Sequence, residues 1–485
     1  MIKINDIQIN VHNMRTRMPF KFGISTMTVV PHLVLTVDLE DNNITGRGYS
    51  ADHLPPKWFT KDSETSFEDD VSDMIKVVRS ACKTAKTIGN APDVFAFWRE
   101  LYSAQKWWGT SEGIPPLLWG LGVSLVERAV IEAVCRIKEI NFGDALRSNL
   151  LGLELGFFDN KMKDIVPQEF LPKKPLLETK IRHTIGLGDP LKKEDIDPEE
   201  LCNDGLPQSL DEIIDTYGIY YFKIKLFGDE HQDFNRLNTI AQILTQKLKV
   251  FHFTLDGNEN FPNMACFRSF WQRLWADKFL RTFLSSLICV EQPIHRASAL
   301  SDDIAFHLQD WHGAPQFIID ESDGQVGDFT TAINLGYSGT SFKNCKGIFK
   351  GVFNLGYIKY LSETNSSSKY LMTSEDLSNI GPIALMQDLA VIGTLGINHT
   401  ERNGHHYFKG LSGWSDEVQK QVLGSHPDLF CEHKKGFPCL QIQEGSISLK
   451  SVNEAPLGTK SQIDTSKLEP IDLWNYGSLK DVPVY

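Results

Sequence analysis

The residues of this 485-residue chain that could do chemistry stand at the ends of short apolar runs. In Tyr220-Tyr-Phe-Lys-Ile-Lys225 two lysines lie two positions apart, and the side-chain period of a strand puts Lys223 and Lys225 on one face. Ammonium groups held that close disfavour each other's protonation, so one of the pair is expected to have a depressed pKa and to serve as a base near neutrality. An isolated Lys-x-Lys is more often a solvated strand end. The acids that follow change that balance. Asp256 closes Phe251-His-Phe-Thr-Leu255, Glu291 closes Leu287-Ile-Cys-Val290, and Asp320 closes Phe317-Ile-Ile319. Any one of them alone is commonly a helix N-cap, whereas one per unit in three successive units points to a shared site. Gathered carboxylates repel unless a cation lies among them, and three oxygen ligands leave positions open for water and substrate, which suits Mg²⁺.

Convergence of residues so far apart requires a particular scaffold. From Glu178 onward short apolar runs alternate with amphipathic helices, and the runs end near His183-Thr184, Lys225, Asp256, Glu291, Asp320 and Phe342-Lys343. Two more runs lie near Tyr370-Leu-Met372 and Gly396-Ile-Asn398. The intervening stretch Asp233–Leu248 places Leu237, Ile240, Ala241, Leu244 and Leu248 on one helical stripe. Repeated strand, helix, strand units of this kind, about eight of them, predict a closed parallel barrel with every strand C-terminus at one mouth. Lys223 and Lys225 then precede the acids by one strand and Lys343 follows them by one, so lysines flank a bound substrate on opposite sides. Residues 189–211, charged and Pro-containing, read as an insertion between the first two units.

The N-terminal part has a different pattern. Residues 1 to about 50 alternate as an antiparallel meander, interrupted by the loop Pro19-Phe-Lys-Phe-Gly-Ile-Ser-Thr26 and followed by Ser50-Ala-Asp-His-Leu-Pro-Pro56. Helical periodicity runs from about Ser66 to Ile140. Its clearest segment is Ser124–Ile137, for which Ser124 with Glu127 predicts a capping box. Net charge is −13 and no Lys/Arg-rich block occurs, so neither nucleic acid nor an anionic membrane surface is an expected partner. No long apolar run and no leader-like start is present, which predicts a cytoplasmic protein. The eight cysteines contain no Cys-x-x-Cys pair, so neither a zinc site nor a disulfide framework is expected.

The ordered set Lys223-Ile-Lys225, Asp256-Gly-Asn258, Glu291-Gln-Pro293, Asp320-Glu-Ser322 and Lys343-Asn-Cys-Lys346 closely resembles the enolase superfamily, in its mandelate racemase/muconate lactonizing enzyme group. The resemblance extends to Pro19-Phe-Lys-Phe-Gly23, to the helix near Ser124 and to Ala455-Pro-Leu-Gly458. It implies an α/β fold, a modified TIM barrel of the (β/α)₇β type with an α+β N-terminal capping domain. The expected divisions are 1–150 for the cap, 151–177 for a connecting segment, 178–435 for the barrel and 436–485 for a segment returning to the cap. By residue match Asp256, Glu291 and Asp320 bind Mg²⁺, Lys225 and Lys343 form the acid/base pair, and Lys223 supports Lys225 and the substrate carboxylate. Asn258 and Glu321 in the same motifs, His399 and Glu401 at the eighth strand, and Ile24 and Asp52 in the two N-terminal loops are expected substrate contacts.

The implied chemistry is abstraction of a proton α to the carboxylate of a small molecule through a metal-stabilised enediolate, by an isomerase or lyase. Racemisation or epimerisation, cycloisomerisation and dehydration all remain open. Superfamily members are commonly homo-oligomers, so self-association is also expected. The chain departs from the family pattern in having Gly347-Ile-Phe where paired glycines are usual, and Asn398-His-Thr-Glu401 in place of the paired aspartates of dipeptide epimerases, which argues against a dipeptide. His399, Glu401, His405 and His406 also have a metal-ligand composition, although the barrel mouth already has a full set. Two other classes compete: a Schiff-base aldolase using Lys225 or Lys343, and an enolase-like barrel retained only for binding.

Overall fold

The computed structural model describes residues 1–365 and 369–483. The chain opens with three antiparallel strands, β1 (Ile2–Phe22), β2 (Ser25–Asp41) and β3 (Ile44–His53), in the expected meander. Three helices follow: α1 (Phe67–Thr87), α2 (Val94–Ser111) and α3 (Pro116–Ile137). Helix α3 is apolar around most of its circumference and is buried along nearly its whole length. It packs directly on β3, where a Cβ at Gly48 would strike the Ala129 carbonyl. The expected start at Ser124 is corrected: Pro116 occupies the first turn, Ser124 lies in mid-helix and its hydroxyl donates to the Leu121 carbonyl at 2.9 Å. Glu127 instead accepts the Phe349 N–H at 2.7 Å, so the predicted capping box does not form.

The second sheet contains eight parallel-linked strands. They are β4 (Glu178–Ile185), β5 (Tyr221–Lys225), β6 (His252–Asp256), β7 (Leu287–Glu291), β8 (Phe317–Ile319), β9 (Gly339–Phe342), β10 (Leu371–Ser374) and β11 (His399–Glu401). Their spatial order is β10-β9-β8-β7-β6-β5-β4-β11. The sheet curls until its end strands approach each other, the Ser374 hydroxyl donating to Thr400 Oγ1 at 2.6 Å across β10 and β11. Among the described residues no backbone ladder joins these two strands.

The parallel ladders set the register of the site. Lys225 is paired with Asp256, and Asp256 with Glu291, so these three residues finish adjacent strands at one level. Helices cover the outer face; in Glu230–Lys247, Leu237, Ile240, Ala241 and Leu244 are buried, as the stripe predicted. The last two strands lie further along the chain than expected. Gly396, expected inside a strand, has φ 76° and ends the helix Ala384–Leu395 in a left-handed cap.

The chain's final part forms a hairpin, β12 (Phe430–His433) with β13 (Phe437–Leu440), and then β14 (Ser446–Ser448), antiparallel to the start of β4. The short strand β15 (Glu469–Pro470) joins β1. All eight cysteines are free thiols. No helix among the described residues is long and apolar enough to cross a membrane.

Candidate active site

Lys223 and Lys225 both point into the curled sheet from β5, as strand alternation requires. Lys223 is buried among carboxylates, with Nζ 2.9 Å from Glu291, 2.5 Å from Glu375, 3.1 Å from Glu401 and 3.0 Å from Asp256. Burial alone would lower its pKa, but the surrounding acids raise it well above the usual lysine value. This corrects the expectation that Lys223 is dominated by repulsion from its lysine neighbour: four carboxylates lie within 3.1 Å of its Nζ. Lys225 makes a single carboxylate contact, donating to Asp256 at 2.6 Å.

Lys343 follows β9 and donates to both oxygens of Asp320, at 2.7 and 2.6 Å, and to Glu375 at 2.7 Å. Its pKa is likewise raised, burial being outweighed by Asp320 and Glu375. Lys346, at the end of the short turn Asn344–Lys346, reaches back to Asp320 at 2.7 Å. Burial would raise the Asp320 pKa, yet Lys343 and Lys346 hold its carboxyl far down. Gly347 follows with φ 100°, so this one glycine supplies the unusual backbone at the place where paired glycines were expected.

Glu375, the residue after β10, was not among the expected site residues. It joins Lys223, Lys343 and, at 2.9 Å, Arg182 from β4. A signal for it existed: Leu371-Met-Thr-Ser-Glu375 repeats the pattern of an acid closing an apolar run. Ending the run at Met372 hid it.

Glu291, Asp320 and Glu375 each offer a carboxylate oxygen, and these atoms lie within 4.8 Å of one another. One oxygen of Glu291 is buried without a hydrogen-bond partner, and burial followed by the charge of Glu375 pushes its pKa well above the normal range. A buried acid with an orphaned oxygen beside two further carboxylates fits a hard cation. Asp256 is not part of that compact group; Lys223 and Lys225 hold it from one side and the Asn258 N–H donates to it at 2.8 Å.

A cavity lies over these strand ends, with Lys223, Lys225, Asp320, Lys343, Glu375 and Glu401 among its lining residues. Of the expected substrate contacts, Asn258 and Glu401 line it. Glu401 accepts from Lys223, from the Thr184 hydroxyl and from Asn403 at 2.8 Å. Glu321 is buried beside the site but outside the lining, its carboxyl pushed up to about 8 by burial and then by Asp320 and Glu259.

His399 stands at the start of β11, away from the mouth. It stacks on Tyr221 with ring centroids 5.1 Å apart and accepts from Arg182 at 2.9 Å. Ile24 is 50% exposed at the tip of the β1–β2 turn, and Asp52 is buried against Arg128 and Asn379. Neither lines the cavity. The N-terminal residues that do are Phe20, Phe22, Met27, Pro55 and Trp58, two to six positions away along the chain. His405 and His406 pack against His183 at 5.5 and 4.9 Å, and no metal-holding group includes them among the described residues.

Neither a protein-family model nor a curated protein sequence matches the chain. Solved structures do. A mandelate racemase/muconate lactonizing protein from Herpetosiphon aurantiacus is 17% identical with a TM-score of 0.57, over 94% of this chain and 98% of that one. An unknown member of the enolase superfamily from Enterococcus faecalis V583 is 13% identical with a TM-score of 0.58, over 99% and 98%. A dipeptide epimerase from the same organism, complexed with Mg and L-Leu-L-Tyr, is 11% identical with a TM-score of 0.56, over 92% and 99%. At these identities the likeness is one of architecture, and the chain carries the fold of the mandelate racemase/muconate lactonizing enzyme-like members of the enolase superfamily.

Proposed function

We propose that the chain is an enzyme that removes a proton α to the carboxylate of a small molecule, working as an Mg²⁺-dependent isomerase or lyase with its second sheet closed as a (β/α)₇β barrel. The observation that carries this reading is the meeting, in one cavity, of Lys225 and Lys343 with Asp320 and Glu375, two members of the compact carboxylate group that Glu291 completes. The same ion accompanies the dipeptide L-Leu-L-Tyr in the neighbouring dipeptide epimerase.

The residues divide the work by their surroundings. Lys225 touches one carboxylate and is the base: its amine takes the α-proton, and the C–H electron pair moves into the bond toward the carboxylate carbon. Lys343, kept protonated by Asp320 and Glu375, is the acid that returns a proton or protonates a leaving group. Lys223, among four acids, stays charged and offsets the negative charge that develops on the substrate. Glu291, Asp320 and Glu375 would hold the divalent cation, with Asp256 adjoining. Such an ion supplies positive charge against the substrate carboxylate as its α-carbon becomes electron-rich.

The test is α-proton exchange in D₂O with Mg²⁺, followed by NMR over a panel of carboxylic acids. Exchange is expected to vanish with chelator and with Lys225→Met. Exchange that survives chelator would overturn the metal-assisted reading, and substrate trapping by borohydride would replace it with Schiff-base chemistry.

A further inference from the structure

The roof of the cavity differs in chemistry from its floor. Every charged lining residue belongs to the strand ends or to the segments that directly follow them, and each is paired there; Asp376, for example, is held by Arg402 at 2.6 Å. The N-terminal segments line the cavity with Phe20, Phe22, Met27, Pro55 and Trp58, and Leu377, next to Asp376, adds one more apolar side chain. None of these carries a charge or a side-chain oxygen.

This roof is preformed. Phe20 stacks on Tyr407 at 4.1 Å, and Tyr407 in turn donates to Asp189 at 2.7 Å. The carbonyls of Trp58 and Phe59 both accept from Arg296, at 2.9 Å each, while Arg296 is ion-paired with Glu259 at 2.8 Å. Lys61 donates to the Asn258 carbonyl, binding the same segment to the loop after β6. The Trp58 ring lies 4.9 Å from Lys343 Nζ, so the indole sits beside one proposed acid/base group.

We infer that the substrate is a monocarboxylate whose remainder is uncharged and apolar, an aromatic or branched aliphatic group seated against Phe20, Phe22, Met27, Pro55, Trp58 and Leu377. This rests on the proposed α-proton abstraction and narrows its substrate. The carboxylate end belongs on the lysine-rich floor. Asn258, Ser378 and Asn403 lie with the charged groups on the segments after the strands, so a second carboxylate, an ammonium group or a polyhydroxy chain seated against the roof would meet side chains that cannot replace its lost water.

The experiment compares exchange at the α-carbon of 2-phenylpropanoate and 2-methylbutanoate with that of 2-methylsuccinate and gluconate, on the full chain with Mg²⁺. The apolar pair is expected to have kcat/KM at least about tenfold higher, by analogy with the selectivity of apolar pockets. Phe22→Arg, which places a cation on the roof, is expected to shift the ratio toward 2-methylsuccinate, with Phe22→Leu as the folding control. Faster exchange of gluconate or 2-methylsuccinate by the unaltered protein overturns the substrate class and keeps the proton abstraction. If no acid exchanges, the proton-abstraction reading fails, and saturation-transfer NMR of the same four acids decides the ligand class: selective binding of the apolar pair supports it, and equal or reversed binding overturns it.

Discussion

At the scale of single residues the site is a balance of buried charge. Arg182, Lys223, Lys225, Lys343 and Lys346 face Asp256, Glu291, Asp320, Glu375 and Glu401, and Glu375 touches three of the five cations. Removing one partner from such a network leaves uncompensated charge and typically costs about 3 kcal/mol or more. Glu375→Gln is therefore expected to lower stability in urea by about that amount and to weaken Mg²⁺ binding measured by calorimetry. In the unaltered protein, Mg²⁺ at a hundred times its Kd is expected to add about 2.7 kcal/mol of stability, and chelator to remove it. Stability indifferent to the ion would remove Glu291, Asp320 and Glu375 as its ligands. The residues legible in the sequence were those whose place follows from strand period and strand end: Lys223, Lys225, Asp256, Glu291, Asp320, Lys343 and Glu401. Ile24 and Asp52 were not, because loop orientation depends on what the loop packs against.

At the scale of elements, errors arose where two local signals compete. Gly396 reads as a strand opener or a helix terminator, and only packing of Ala384–Leu395 decides for the latter. That choice moves β11 to His399–Glu401, which sends His399 to the bottom of the strand and Glu401 to its mouth. Ser124 and Glu127 form a cap pattern in a helix so apolar that its true start lies at Pro116. Glu127 is consequently buried, with one oxygen unpartnered, against the Phe349 and Ile348 N–H groups and near Arg128 and Lys350. Burial raises its pKa from 4.5 to about 7, more than those donors and cations lower it. Its folded pKa thus lies above its unfolded one, so its contribution to stability is full below about pH 4.5 and is lost as pH rises through 7. Glu127→Gln is expected to match the parent at pH 4 and to be more stable by about 3 kcal/mol at pH 8, read from urea unfolding at both values. A difference independent of pH would mean that folding leaves the Glu127 pKa unchanged.

At the scale of the whole molecule, two bodies of structure share one cavity, and arginines join them. Arg17 on β1 donates to Asp204 at 2.9 Å and to the carbonyls of Leu206, Pro207 and His406, tying the N-terminal sheet to the insertion and to the segment after β11. Arg296 does the same from the side of the second sheet, gripping the carbonyls of Trp58 and Phe59. The planar fork that serves two carbonyls and a carboxylate together has no equivalent in lysine, which keeps the charge but loses the geometry. Arg296→Lys should therefore free the roof without unfolding the sheet beneath it. Hydrogen exchange measured by mass spectrometry is expected to accelerate by about tenfold, corresponding to the loss of roughly 1.4 kcal/mol of local stability, across residues 55–61 and not in β5 to β9. The same variant should raise KM for an apolar carboxylate more than it lowers kcat, since the roof holds the part of the substrate that does not react. Acceleration spread evenly over both sheets would instead make Arg296 a support of the global fold, and the roof would then owe its position to Arg17 and the stacking of Phe20 on Tyr407.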